Sequence, residues 1–176
     1  AGLDRSDPDW YAATILNYAV GGGGFSSRLM DEVREKRGLT YGIGSNLQSF
    51  DHANLVTVSG STVNDKAAEA VSVTKQIWGD VAKNGITEAE LRDAQTYLTG
   101  SFPLQFTNNG AIAGLLLQVQ RDDLGIDYLN KRNDLLNAVT ISDVKRVAAR
   151  LLDPARLTTI LVGQPTGVTP DGTLYK

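Results

Sequence analysis

The stretch GGGGFSSRLMDEVREKRGLTYGIGS, Gly21 to Ser45, decides how this chain folds. Four glycines stop the helix before them, because glycine loses the most backbone freedom when ordered. Ser26 or Ser27 then opens a second helix, with Leu29, Met30 and Val33 apolar at helical spacing and an end near Arg37. Gly38 is a natural residue to follow that end, since glycine accepts left-handed backbone without strain. From Tyr41 to Ser49 the pattern changes to strand. Helix, glycine stop, helix, glycine stop, strand is the order this stretch imposes.

Upstream, Asp7-Pro8-Asp9 reads as the start of a helix with Tyr11, Ile15, Leu16 and Ala19 on one face. Downstream, Asn54 to Ser61 forms a second strand rich in β-branched residues, and Phe50-Asp51-His52-Ala53 forms the hairpin loop. Asn64 to Lys83 is an amphipathic helix, and Thr87-x-x-Glu90 is a capping box that opens another. Asn108 to Val119 is apolar enough to read as a buried helix. Shorter helices follow over Asp127 to Asn137 and from Thr140-x-x-Asp143 to just before Asp153-Pro154. Leu157 to Val162 reads as a buried strand closed by Gly163. The fold class is α+β, an antiparallel-rich sheet packed against several helices, with residues 1–164 as one domain and 165–176 as a loosely held tail. Three strands are few for so much helix. With no Met at position 1, this suggests a piece of something longer whose first strands precede Ala1.

Composition narrows the chemistry. The chain has 176 residues, net charge −3, one histidine and no cysteine. The charge gives no basic surface for nucleic acid, and no apolar run is long enough to span a membrane. The cations between Arg28 and Arg37 alternate with Asp31, Glu32 and Glu35, the pattern of a solvated helix face. Zinc catalysis needs about three protein ligands, and a lone His52 in a hairpin loop cannot contribute to either zinc-peptidase histidine motif. A serine triad would need the same histidine, and no G-x-S-x-G elbow is present. The glycine run lacks the G-K-[ST] ending of a phosphate loop and follows a helix, so it reads first as a flexible or close-packed hinge. Anion binding at its amides is the alternative. Asp122-Asp123 carries no catalytic spacing. Arg34, at a helix end, and Tyr41, at a strand start, can reach one sheet edge, where each is a donor suited to a carbonyl oxygen gaining charge. From spacing alone, a solvated arginine and a half-buried tyrosine are the simpler reading.

The Gly21–Ser45 block resembles the signature of the non-catalytic half of the pitrilysin/insulinase/mitochondrial processing peptidase family, zinc metallopeptidases of the inverted H-x-x-E-H type. DRSDPDW upstream, VNDKAAEA and ITEAELRDAQTYLTGSFPL downstream, and the closing LTTILVGQP are similar too, so the likeness covers residues 4 to 164. It implies two α+β halves closing on an unfolded peptide. One half carries H-x-x-E-H and the Zn2+. The other, lacking the metal site, supplies an Arg and a Tyr to the substrate. Carried over, these fall on Arg34 and Tyr41; Arg37 is nearer the tyrosine but fits the motif position less well. The resemblance therefore implies no cofactor in this chain, Zn2+ in a partner half or subunit, a peptide substrate, and no cleavage by the isolated chain. Family members occur in bacterial periplasm and cytoplasm, so it leaves the compartment open. A non-enzymatic scaffold or peptide-binding subunit is the second reading.

Overall fold

The computed structural model describes residues 1–169 and 172. Two strands, β1 (Gly42–Ser49) and β2 (Asn54–Ser61), pair antiparallel in the register Gly42 to Ser61 through Ser49 to Asn54. Helix α1 (Trp10–Asn17) packs against this hairpin; α3 (Glu88–Gly100), α5 (Tyr128–Asn137) and α6 (Ile141–Leu151) pack on α1, and α2 (Ala67–Asn84) packs on α6. A further helix, α4 (Asn109–Arg121), lies at the periphery.

The core forms where the apolar faces of these helices converge. Ile15 and Leu16 of α1, Leu29 and Val33 of the second helical segment, Val81 of α2, Ala94 of α3, Leu136 of α5 and Val144 and Val147 of α6 are all buried together. Each fully buried aliphatic side chain of this size contributes about 1.5–3 kcal/mol by leaving water. The expected capping box at Thr87 is present, and the helix start at Thr140 is a second one. Thr87 accepts from the Glu90 N–H and Thr140 from the Asp143 N–H, each answered by the acidic side chain. The segment before α1 is stapled to α6 by ion pairs. Arg146 donates to both Asp9 oxygens at 2.6 and 2.7 Å, and Arg150 reaches Asp9 and Asp7, each at 2.8 Å.

Two expectations are overturned. Asn108 to Val119 does form a helix, α4, but none of its residues is buried, and Leu116 and Leu117 are exposed. One side of it rests on the short helical turn Phe102–Phe106, while the face carrying Leu116 and Leu117 stays exposed among the described residues. Leu157 to Val162 is not a strand, and Val162 is 98% exposed. A strand needs a neighbour that completes its hydrogen-bond ladder, and among the described residues β1 and β2 pair only with each other. The tail is partly held, because the Thr166 N–H donates to the Asn64 carbonyl at 3.0 Å. Residues 170, 171 and 173–176 of that expected tail lie outside the described residues. No described helix is long and apolar enough to cross a membrane.

Candidate functional site

The glycine run is close-packed. α1 continues as a π-wound turn over Tyr18–Gly22, closed by the Gly23 N–H donating to the Tyr18 carbonyl at 2.9 Å. Gly21 lies so close to β1 that a Cβ there would sit 2.5 Å from the Ser45 nitrogen and 2.6 Å from its Oγ. Gly22 and Gly23 press in the same way on Asn17 and Tyr18. Gly24 differs: its φ is +58° and space around it is open. It starts a 3-10 turn, Gly24–Ser26, locked by the buried Ser27 hydroxyl donating to the Gly24 carbonyl at 2.7 Å. The N–H groups of Gly23, Ser26 and Ser27 all donate to carbonyls within the segment. Those donors are therefore not available to cradle an anion.

The helix that follows is also π-wound, over Met30–Glu35. It rests on β1 through Met30, whose Sδ lies 3.5 Å from the Ile43 nitrogen. It ends as expected at Gly38, with φ +58° and its N–H on the Arg34 carbonyl at 2.8 Å. Arg28 is not solvated. It makes a two-pronged ion pair with Glu90 on α3, at 2.5 and 2.7 Å. The other cations of this helix meet their own acids, Lys36 on Asp31 and Glu32, and Arg37 on Glu32.

Arg34 projects from the last turn. Its guanidinium carbon lies 4.7 Å from the centroid of the Phe25 ring, and its Nη1 donates to Glu35 Oε1 at 2.6 Å. A guanidinium has five N–H donors, and Glu35 is its only acceptor among the described residues. Tyr41 is 95% exposed, just ahead of β1, and no hydrogen bond joins it to Arg34. The backbone leading to it is pinned, however. Lys66 Nζ donates to the Gly38 carbonyl at 3.0 Å, Thr62 Oγ1 to the Leu39 carbonyl at 2.5 Å, and Thr40 Oγ1 to the Ser61 carbonyl at 2.5 Å. Sequence reasoning missed Phe25, Thr40, Thr62 and Lys66. An aromatic beside a helix-opening serine hints at the first, but contacts reaching from the end of β2 and the connection to α2 leave no local signal.

The residues present do not fit a zinc ion. His52 is exposed in the hairpin loop, and among the described residues no three His, Asp or Glu side chains group to hold a metal. The fold and site thus define an α+β domain with no metal-ligand cluster among its described residues, with Arg34 set against Phe25 and Tyr41 exposed just ahead of β1. The chain belongs to the family described as the peptidase M16 inactive domain, whose model matches residues 1–98. It is 32% identical to an uncharacterized zinc protease of Streptomyces coelicolor over 86% of this chain and 33% of that protein. It is 30% identical to a non-peptidase homolog of Helicobacter pylori over 72% of this chain and 28% of that one. A solved peptidase M16 inactive domain from Pseudomonas fluorescens superposes with a TM-score of 0.77 at 32% identity, covering 87% of this chain and 36% of that one. The chain spans about a third of the length of such curated relatives.

Proposed function

We propose that this domain is the zinc-free, substrate-binding half of a zinc metalloendopeptidase. In this reading Arg34 and Tyr41 contact the scissile peptide, while an H-x-x-E-H half, in the same chain or a separate subunit, carries the Zn2+. The observation that supports it is a pair of outward donors on pinned backbone: an arginine with one protein acceptor and a tyrosine almost wholly exposed. Peptide hydrolysis builds negative charge on the carbonyl oxygen, and donors fixed at that oxygen lower the barrier. Splitting the donors from the metal makes only the closed assembly complete, which couples closure to chemistry.

The test is to combine the chain with its H-x-x-E-H half. Arg34→Ala and Tyr41→Phe should each lower kcat by about 10- to 1,000-fold, the range for losing one such donor. Wild-type rates in both variants would rule the assignment out. The isolated chain should neither cleave peptide nor bind zinc tightly.

A second reading has its own support. The Helicobacter pylori relative named as a non-peptidase homolog favours a scaffold or peptide-binding subunit with the same fold. Absence of H-x-x-E-H from the full-length protein and from its neighbouring genes would favour that reading.

A further inference from the structure

Arg28 and Arg34 leave the same helical segment and are held in opposite ways. Glu90 takes Nε and Nη2 of Arg28, so the edge of that guanidinium is fully engaged and its charge is matched. Arg34 is covered on its face by a ring instead, which attracts the cation through its quadrupole and, apart from the Nη1 bond to Glu35, leaves the edge donors without an acceptor among the described residues. The ring belongs to Phe25, which is 70% exposed, an unusual place for a phenyl group whose only task is packing. Gly24 at φ +58° and the Ser27 hydroxyl set the turn that carries it.

We propose that Phe25 is a positioning residue for Arg34, its ring holding the guanidinium plane so that the edge N–H donors face a peptide carbonyl. On this view the glycine run is a mount: Gly21 to Gly23 seat it on β1 and α1, and Gly24 turns the ring over the arginine. The inference rests on the reading of Arg34 as a substrate donor.

Two measurements test it. In NMR spectra of this chain, the Arg34 Nε–Hε signal is shifted by the ring current. Phe25→Leu abolishes that shift, and Phe25→Tyr keeps it. In peptide cleavage with the H-x-x-E-H half present, Phe25→Leu lowers kcat/KM by about 2- to 30-fold, the range of a cation–π contact. Phe25→Tyr retains the wild-type rate, and Phe25→Leu has no further effect in an Arg34→Ala background. A general packing defect would not spare the Arg34→Ala background. An undiminished rate in Phe25→Leu, with Arg34→Ala impaired, overturns the positioning role and leaves the Arg34 assignment standing. An equal loss from Phe25→Leu in both backgrounds overturns it as well. A wild-type rate in Arg34→Ala overturns the Arg34 assignment, and this inference with it.

Discussion

Arg28 and Glu90, 62 residues apart, are joined by two hydrogen bonds of 2.5 and 2.7 Å, and Glu90 simultaneously closes the capping box of α3 by accepting from the Thr87 N–H at 2.7 Å. One carboxylate thus ties the end of the glycine run to the start of a core helix. Both side chains are largely shielded, about a quarter exposed. Arg28→Ala should cost about 1–3 kcal/mol, the range for losing charged hydrogen bonds to a shielded partner. Glu90→Ala loses the cap as well and should cost more. Urea denaturation of both single variants and the double should give a coupling of about 1–2 kcal/mol. Strict additivity would show that the pair does not act as a unit.

The same carboxylate makes the fold sensitive to acid. Burial alone would raise the Glu90 carboxyl, but Arg28 and the Thr87 N–H and hydroxyl outweigh it and hold it below the usual range. The Arg150 guanidinium likewise lowers Asp7. A carboxylate lowered in the folded state takes up protons more readily when unfolded. The stability it contributes is therefore complete above the ordinary carboxylate value near pH ~4 and is lost as pH falls through the lowered one. Thermal melts between pH 7 and pH 2 should show a decline confined to the acid end. Arg28→Ala should flatten it. An unchanged acid slope in that variant would remove Glu90 as a contributor.

Local patterns were legible wherever the cause is local. The two capping boxes, the hairpin over residues 42–61 and the Gly38 stop each depend on residues within a few positions of one another. What depends on a distant neighbour was not. Leu157 to Val162 has the composition of a buried strand, but no pattern within it tells whether another strand lies alongside. The apolar run of α4 likewise does not reveal whether anything covers it. At the candidate site, Arg34 and Tyr41 could be placed at a helix end and a strand start. The ring over Arg34 arises from a turn whose geometry Gly24 sets, and the bonds that pin residues 38–40 come from Thr62, Lys66 and Ser61.

The first and last glycines of the run separate packing from backbone strain. At Gly21 a methyl group would meet the Ser45 backbone at 2.5 Å and Leu29 Cδ1 at 2.8 Å, so Gly21→Ala forces β1 and the π-wound turn apart. At Gly24 there is open space, and the penalty of an alanine comes only from its φ of +58°. Gly24→Ala should cost about 1–2 kcal/mol, and Gly21→Ala about 1–3 kcal/mol or more, as for overpacking against rigid backbone. Circular dichroism melts should rank Gly21→Ala as the less stable. The opposite order would mean that the run is loose enough to absorb a methyl group.

α4 offers the sharpest contrast between apolar composition and apolar burial. Leu117 is 66% exposed, whereas Leu136 on α5 is 1% exposed, although both occupy helices of ordinary length. If stability follows burial, Leu117→Lys changes the unfolding free energy of this chain by no more than about 0.5 kcal/mol. Leu136→Ala, which opens a cavity where α5 packs on α1 and α3, costs about 2–5 kcal/mol. What holds α4 as a helix is instead its start, where Asn108 Oδ1 accepts from the Ala111 N–H at 2.9 Å. Asn108→Ala should therefore destabilise α4 by about 1 kcal/mol, seen as faster amide exchange along that helix while α6 keeps its protection. Urea denaturation together with hydrogen exchange separates these outcomes. A loss of several kcal/mol in Leu117→Lys would show that α4 is packed into the core, and the account of its face as uncovered would be wrong.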